Sequence, residues 1–332
     1  DKMNPQQVQE WLAKVEVGEG MYHENLTIFP VFWRGQAEVP AESRKVPADS
    51  VNNRVGHGGR DRYQLLSDAV EAKQALVEEV SEGGQVPFLG VKNTGGTPIL
   101  IPEGEILMGA KQNRVVNLTV LVAAKTSFKL PVSCVEQGRW HYRSRDFKPA
   151  AFAHPKLREL KVKSAQRSRR FRGEALADQG RVWDEVGEHL EDLEAASPTA
   201  DFVDSFAASP VRMERYRTRI ELPHEACGFI AARDGRVVGL DLFDKPETMR
   251  KMWRRIADAY FLESTREWSE SRPTPKAAAE KFMQEVSEHL EEASSQPDLG
   301  VEFEVTNERL SGSALFYDGA VCHLSAFDSP SA

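Results

Sequence analysis

Cysteine is scarce in this 332-residue chain, and the three that occur, Cys134, Cys227 and Cys322, lie far apart. An odd count with no CxxC pair excludes a disulfide framework and suits a reducing compartment, so a cytoplasmic location is expected. No apolar run approaches the roughly 18–20 residues that a membrane helix needs. The first twenty residues hold no basic segment followed by an apolar one, so no secretory signal is read there. An excess of basic charge is lacking too. Lys and Arg number 43 against 51 Asp and Glu, a formal net charge of −8 that argues against nucleic acid as the default partner.

What is present is an ordinary globular composition, 40% hydrophobic and 28% charged, in a chain long enough for two domains. Residues 5–14 space Val8, Trp11 and Leu12 as one face of a short helix behind Pro5. The run 26–33 (LTIFPVFW) is β-rich, and its Pro30 predicts an edge strand. Residues 34–62, rich in Pro, Gly, Ser, Asn and charge, read as a long loop, and 62–75 resumes helical spacing. Five short β-type runs follow between 86 and 133. Asn93-Thr-Gly-Gly96 is read as a hairpin turn and 123–126 as a second, weaker one.

That spacing predicts an antiparallel β-sandwich or barrel-like domain over 20–145. Residues 146–210 read as a charged helical connector, basic over 154–172 and acidic over 173–196. From 211 to 328 a smaller α+β domain is expected: a hairpin at Arg233-Asp-Gly-Arg236, a helix opened by Pro246, another over 275–293, and a closing meander about Asp318-Gly319. The fold class is therefore α+β.

The densest set of functional side chains lies within 103–140. Gly104 and Gly109 have phosphate-loop spacing, but Ala110, Lys111 and Gln112 follow where Gly-Lys-[Ser/Thr] is required, so a phosphate loop is rejected. What remains is a strand end presenting Lys111 and Arg114 as cations suited to an anion, with Gln112 and Asn113 as amides that fix orientation. A polar, solvated turn is the plain alternative. The second cluster is Ser133-Cys134-Val-Glu136-Gln137-Gly-Arg139-Trp140-His141. Alternation sends Cys134 and Glu136 to one face. A thiol beside a carboxylate and Arg139 has the parts of an activated nucleophile, although a strand cysteine is more often a small buried hydrophobe.

Metal is the weaker chemistry, because Glu103, Glu105, Glu136 and His141 share no tight ligand spacing, and no cofactor follows from the residues. The basic tract 154–172 has the charge for nucleic acid but almost no interleaved aromatics, so a solvated helix paired with the acidic segment after it is favoured. Cys322-His323 reads as a core or interface pair.

The runs PEGEILMGAKQNRVVN and LPVSCVEQGRW, with QGRVWDEV later and the 228–243 hairpin before a Trp-bearing helix, resemble the ADP-ribosylglycohydrolase- and rhodanese-phosphatase-superfamily-associated protein domain. The resemblance runs from about residue 26 to 327. It implies a connection with ADP-ribose, nucleotide or protein-modification metabolism and supplies no catalytic residues. The leading expectation is recognition of a small anionic ligand, nucleotide or ADP-ribose-like, by Lys111, Arg114 and Arg139 with Gln112 and Asn113. Glu136 or Glu105 would serve as general base and Cys134 as a distant nucleophile. The alternatives are a structural module for protein partners and nucleic-acid binding through 154–172.

Overall fold

In the computed structural model, residues 5–35, 61–80, 87–266, 272–293 and 299–329 are described. Most of the loop expected at 34–62, from 36 to 60, lies outside them. The fold is α+β, with antiparallel sheets and a curled half-barrel, as the strand spacing predicted.

Elements are numbered in chain order. The largest sheet has nine strands: β1 (Val15–Val17), β3 (Leu26–Trp33), β13 (Gly228–Arg233), β14 (Arg236–Phe243), β18 (Ala320–Asp328), β17 (Leu310–Tyr317), β16 (Val301–Thr306) and β15 (Leu290–Glu292) in that order, with β2 (Met21–His23) also on β3. Both faces of its central strands are covered, which is why β3, β13 and β14 read as nearly continuous apolar runs. In β13, Ile230 and Ala232 face α1 (Pro5–Leu12) and α7 (Lys276–Glu288), whereas Phe229 and Ala231 face α5 (Pro210–Arg219) and α6 (Pro246–Ser264). Two tight turns hold the register. Asp234-Gly235 joins β13 to β14 and Asp318-Gly319 joins β17 to β18, with both residues of each pair at positive φ, the backbone that matches strand twist in a two-residue hairpin.

β3 corrects the expectation of an edge strand. It lies between β1 or β2 and β13, and Pro30 is tolerated because its missing N–H faces the gap between β1 and β2, where only its carbonyl is used, accepting from the Gly18 N–H at 2.7 Å. The strand pairing also crosses the expected boundary at 145: β3, from the first segment, is hydrogen-bonded along its length to β13 of the last.

The second body is a six-stranded sheet in the order β12 (Phe147–Phe152), β8 (Glu105–Gly109), β9 (Arg114–Val116), β11 (Ser127–Cys134), β6 (Phe88–Asn93), β5 (Ala75–Glu79). It encloses a core with a small sheet of β10 (Val120–Val122), β7 (Ile99–Ile101) and β4 (Gln64–Leu65) and with α2 (Leu66–Glu71). Asn93-Thr-Gly-Gly96 is a turn but not a hairpin, because β6 and β7 belong to different sheets. The Asn93 amide donates to the carbonyls of Thr97, Val122 and Ala123 and so redirects the chain from one sheet to the other.

Between the bodies runs α3 (Pro155–Arg172), entered at His154 and ended by Gly173 in the left-handed conformation, with α4 (Gln179–Asp192) packed against it. The solvated-helix expectation for 154–172 holds only for its outer face, where Lys156 pairs with Glu185 and Glu188 of α4. Arg158, Lys161 and Arg169 are buried. Arg158 reaches Glu103 and Asp241, Lys161 lies beside Glu103, and Arg169 pairs with Glu302 and Glu304. The helix is an ionic rivet between the sheets.

Candidate functional site

The 103–140 segment divides into two places at opposite ends of β8. Four residues separate Glu105 from Gly109, about 13 Å along a strand. The two glycines that mimic a phosphate loop are explained by packing. Gly104 has φ +84, and a Cβ there would sit 2.5 Å from Arg158 Nε; Gly109 has φ +147, and its Cβ would land on the Asp146 carbonyl. Each gives room to protein atoms.

At the Gly109 end the structure brings Gln112, Asn113, Arg114, Cys134, Glu136 and Arg139 together. Arg139 is buried and grips Glu136 with two donors, Nε to Oε1 at 2.7 Å and Nη2 to Oε2 at 2.6 Å. Its Nη1 donates to the carbonyls of Ala110, at 2.5 Å, and His141, at 2.9 Å. Glu136 also accepts from the Asn113 N–H and Thr199 Oγ1, both at 3.0 Å. Burial pushes its carboxyl up, but the Arg139 guanidinium and these N–H and O–H donors outweigh that, leaving it below the usual carboxylate range.

Asn113 is the hub. Its Nδ2 donates to Asp201 Oδ2 at 2.8 Å, and its Oδ1 accepts from the Gly109 N–H at 3.2 Å. Asp201 bridges to Glu136 through the backbone. Burial pushes its carboxyl up to about 6, against the Val203 N–H that it accepts. Two neighbouring carboxyls are thus driven apart, one ionised and one poised near neutrality, which is the pattern that assigns base and acid roles in many sites.

Arg114 and Cys134 face each other across the β9–β11 pair and share Gln112 Oε1, at 3.1 Å from Arg114 Nη1 and 3.0 Å from the thiol. Arg114 is buried, its Nη2 lies 3.7 Å from Glu79, and Nε and Nη2 have no hydrogen-bond partner among the described residues. Burial pushes the Cys134 thiol up, against the pull of Arg114, so it stays protonated at neutral pH and is a poor nucleophile. From α4, Gln179 pairs with the Cys134 backbone as a strand would, donating to its carbonyl and accepting from its N–H at 2.8 Å each.

Above this buried knot lies an exposed rim. The residues from 140 to 145 are all exposed and follow directly on Arg139. Trp140 and Tyr142 are 50% and 52% exposed, and Lys111, a buried residue, places its ammonium 5.3 Å from the centroid of each ring. Such contacts contribute on the order of 0.5–2 kcal/mol each. The loop is pinned by the Arg143 N–H on the Ala110 carbonyl and by Ser144 Oγ, which accepts from the Ala110 N–H and donates to the Asp146 carbonyl.

Glu105 is held apart from this group. It is buried, accepts from Arg255 Nη1 at 2.5 Å, and keeps Oε2 without a partner among the described residues. Burial raises its carboxyl above the usual range against the pull of Arg255. Two residues before it, Glu103 joins Arg158, Asp241, Tyr260, Thr119 and His323 in a second buried network. There Lys161 donates to the Val116 carbonyl at 2.7 Å, and burial pulls its ammonium down to about 8. Asp201 and Thr199 in the first network had no signal in the sequence, because they stand tens of residues from the motifs they complete. Gln179, Arg158, Asp241 and Tyr260 lie in stretches the sequence does single out, namely QGRVWDEV, the basic tract, the 228–243 hairpin and the Trp-bearing helix, but nothing local told which partners they meet. Among the described residues no three His, Cys, Asp or Glu side chains are grouped to hold a metal ion, and no helix is long and apolar enough to cross a membrane.

A family model, the ARG and Rhodanese-Phosphatase-superfamily-associated Protein domain, matches residues 14–327. No curated protein and no solved structure matches the chain. With nearly its whole length covered, the chain belongs to that family.

Proposed function

We propose, proceeding from that family membership, that the chain recognises a small anionic ligand carrying a flat ring, a nucleotide or ADP-ribose-like compound, on the rim over 140–145. The observation that carries this reading is the pair of half-exposed rings, Trp140 and Tyr142, on a loop that also exposes Arg143 and Arg145. Large exposed aromatics are ready stacking surfaces for a nucleobase, and neighbouring guanidiniums suit its phosphates. Roles shift accordingly from those first assigned. Lys111 holds the two rings, Arg139 and Asn113 anchor the loop and the turn beneath it, and Arg114 is a buried support for Gln112. If the ligand is turned over, Asp201 is the group with the proton affinity of a general base near neutrality, with Glu136 ionised beside it. Glu105, at the far end of β8, and the protonated Cys134 are less well suited.

A second reading is a non-enzymatic module for protein partners. It is favoured by one feature, the number of Glu136, Arg139 and Asn113 hydrogen-bonding groups already used within the chain.

Thermal-shift titration separates the two. ADP-ribose and AMP should raise the melting temperature of the wild-type chain, and inorganic phosphate should do so far less. Trp140→Ala with Tyr142→Ala, both exposed and therefore compatible with folding, should abolish the response. A wild-type chain that does not respond, or a double variant that responds fully, overturns the ligand reading.

A further inference from the structure

The outward face of the C-terminal half of α3 forms a second concavity, which shares no lining residue with the 140–145 rim. Lys163, Gln166, Arg167 and Arg170 recur at helical spacing along one side of the helix. With Thr306, Asn307, Leu310 and Ser311 at the β16–β17 turn they line a groove of about 330 Å³. Pro155 to Arg167 is twelve residues, about 18 Å of helix, so this groove and the start of α3 are well separated.

Its charge is one-sided. Three of the lining residues are cations and none is acidic, in a chain whose net charge is −8. The sheet carboxylates nearby are already matched from α3: Glu302 by the inward-facing Arg169, and Glu304 by Arg169 and Arg170. Lys163 pairs with Glu159. Arg167 is exposed and has no ion-pair partner among the described residues. Ser311, which also lines the groove, keeps a buried hydroxyl with no hydrogen-bond partner among the described residues. Phe171 borders the groove at 81% exposure, an apolar ring on an otherwise polar helix face.

We infer that this groove binds a small phosphate monoester whose organic part is planar or apolar. Arg167 supplies the uncompensated charge, because Lys163 is already paired with Glu159 and Arg170 with Glu304 and Glu291. Guanidinium forks match the oxygens of a phosphate. Phe171 covers the organic part. The volume lies at the lower end of small-ligand sites, which suits a single phosphorylated group better than a strand of nucleic acid. The earlier expectation of nucleic-acid binding through 154–172 becomes, in these terms, one competing outcome.

The test uses the full chain and phenyl phosphate, a monoester with one ring, followed by calorimetry. Wild type should bind it saturably and more tightly than inorganic phosphate. Arg167→Glu, at an exposed position that leaves the helix core intact, should weaken binding at least tenfold. Phe171→Ala should weaken phenyl phosphate about threefold or more while leaving inorganic phosphate unchanged. The same titrations made in the Trp140→Ala, Tyr142→Ala background, where the stacking surface of the rim is gone, should keep the dependence on Arg167 and Phe171. Binding at the groove is thus read apart from any at the rim, and the failure of one proposal is distinguishable from that of the other. No saturable binding, or binding that survives Arg167→Glu, overturns the proposal. It is equally overturned if a short single-stranded oligonucleotide binds far more tightly than phenyl phosphate, with steep salt dependence and sensitivity to Arg167→Glu.

Discussion

Arg158 holds Asp241, 83 positions away, in a two-pronged grip inside the protein, Nη1 to Oδ2 at 2.8 Å and Nη2 to Oδ1 at 2.6 Å. The same guanidinium donates twice to Glu103 Oε1, at 2.9 and 2.6 Å, so one cation ties the six-stranded sheet to the nine-stranded one through α3. Burial raises Asp241, but Arg158 and the His323 ring more than reverse it, to about 2.

Removing this cation should be severe. Arg158→Met leaves two buried carboxylates without their guanidinium, and breaking a buried pair from one side costs about 3–5 kcal/mol. Urea unfolding followed by circular dichroism should show a midpoint lowered in proportion. A change below about 1 kcal/mol would mean that the rivet is incidental to stability.

Gly104 makes that contact possible and should tolerate no side chain. Gly104→Ala places a Cβ against Arg158 Nε at a backbone φ of +84. Left-handed strain of about 1–2 kcal/mol, plus displacement of the guanidinium, should lower the melting temperature by several degrees. An unchanged melting temperature would show that Arg158 relaxes at no cost.

Asp201 makes a pH prediction of opposite sign to Asp241. Its folded carboxyl titrates at about 6, above the ordinary 3.8, so the folded state binds the proton more tightly than the unfolded chain does. The penalty is absent below pH 4, grows as pH rises, and is complete above pH 6, reaching about 3 kcal/mol. Asp241, depressed to about 2, instead contributes stability that is full above 3.8 and lost as pH falls through 2. The stability difference between wild type and Asp201→Asn should therefore drift in favour of the variant from pH 4 to 6 and be flat outside that window. A flat difference throughout would remove Asp201 as the poised group of the site.

The thiols should be silent. Cys134, Cys227 and Cys322 are all buried, and burial raises each thiol, Cys227 to about 12. Reaction with an aromatic disulfide reagent should be slow for all three in the native protein and rapid in urea. Fast native labelling of one cysteine, mapped to Cys134, would restore it as a candidate nucleophile.

Local signals carried well where they act through neighbours in the chain. The hairpins at Asp234-Gly235 and Asp318-Gly319 were legible because positive φ at two successive residues needs those residue types. The α1 face of Val8, Trp11 and Leu12 and the start of α6 at Pro246 were legible from spacing and helix-start chemistry. Pro30 misled, since a proline marks a missing donor but not which side of the strand lacks a partner. Asn93-Thr-Gly-Gly96 misled for a similar reason: a turn signal fixes a change of direction, not the sheet to which the next strand belongs.

By itself the sequence determined the α+β class, the strand-and-turn texture and the two motifs that hold Gln112, Asn113, Arg114, Cys134, Glu136 and Arg139, because backbone propensity and short-range spacing act within a few residues. Only the tertiary structure decided what those side chains do. It committed Arg139 to Glu136, brought Asp201 to Asn113, sent Glu105 to the other end of β8 and buried Arg158 between Glu103 and Asp241. The value of a charge depends on burial and on partners that the chain delivers from 50 to 150 residues away, and neither is a property of the local sequence.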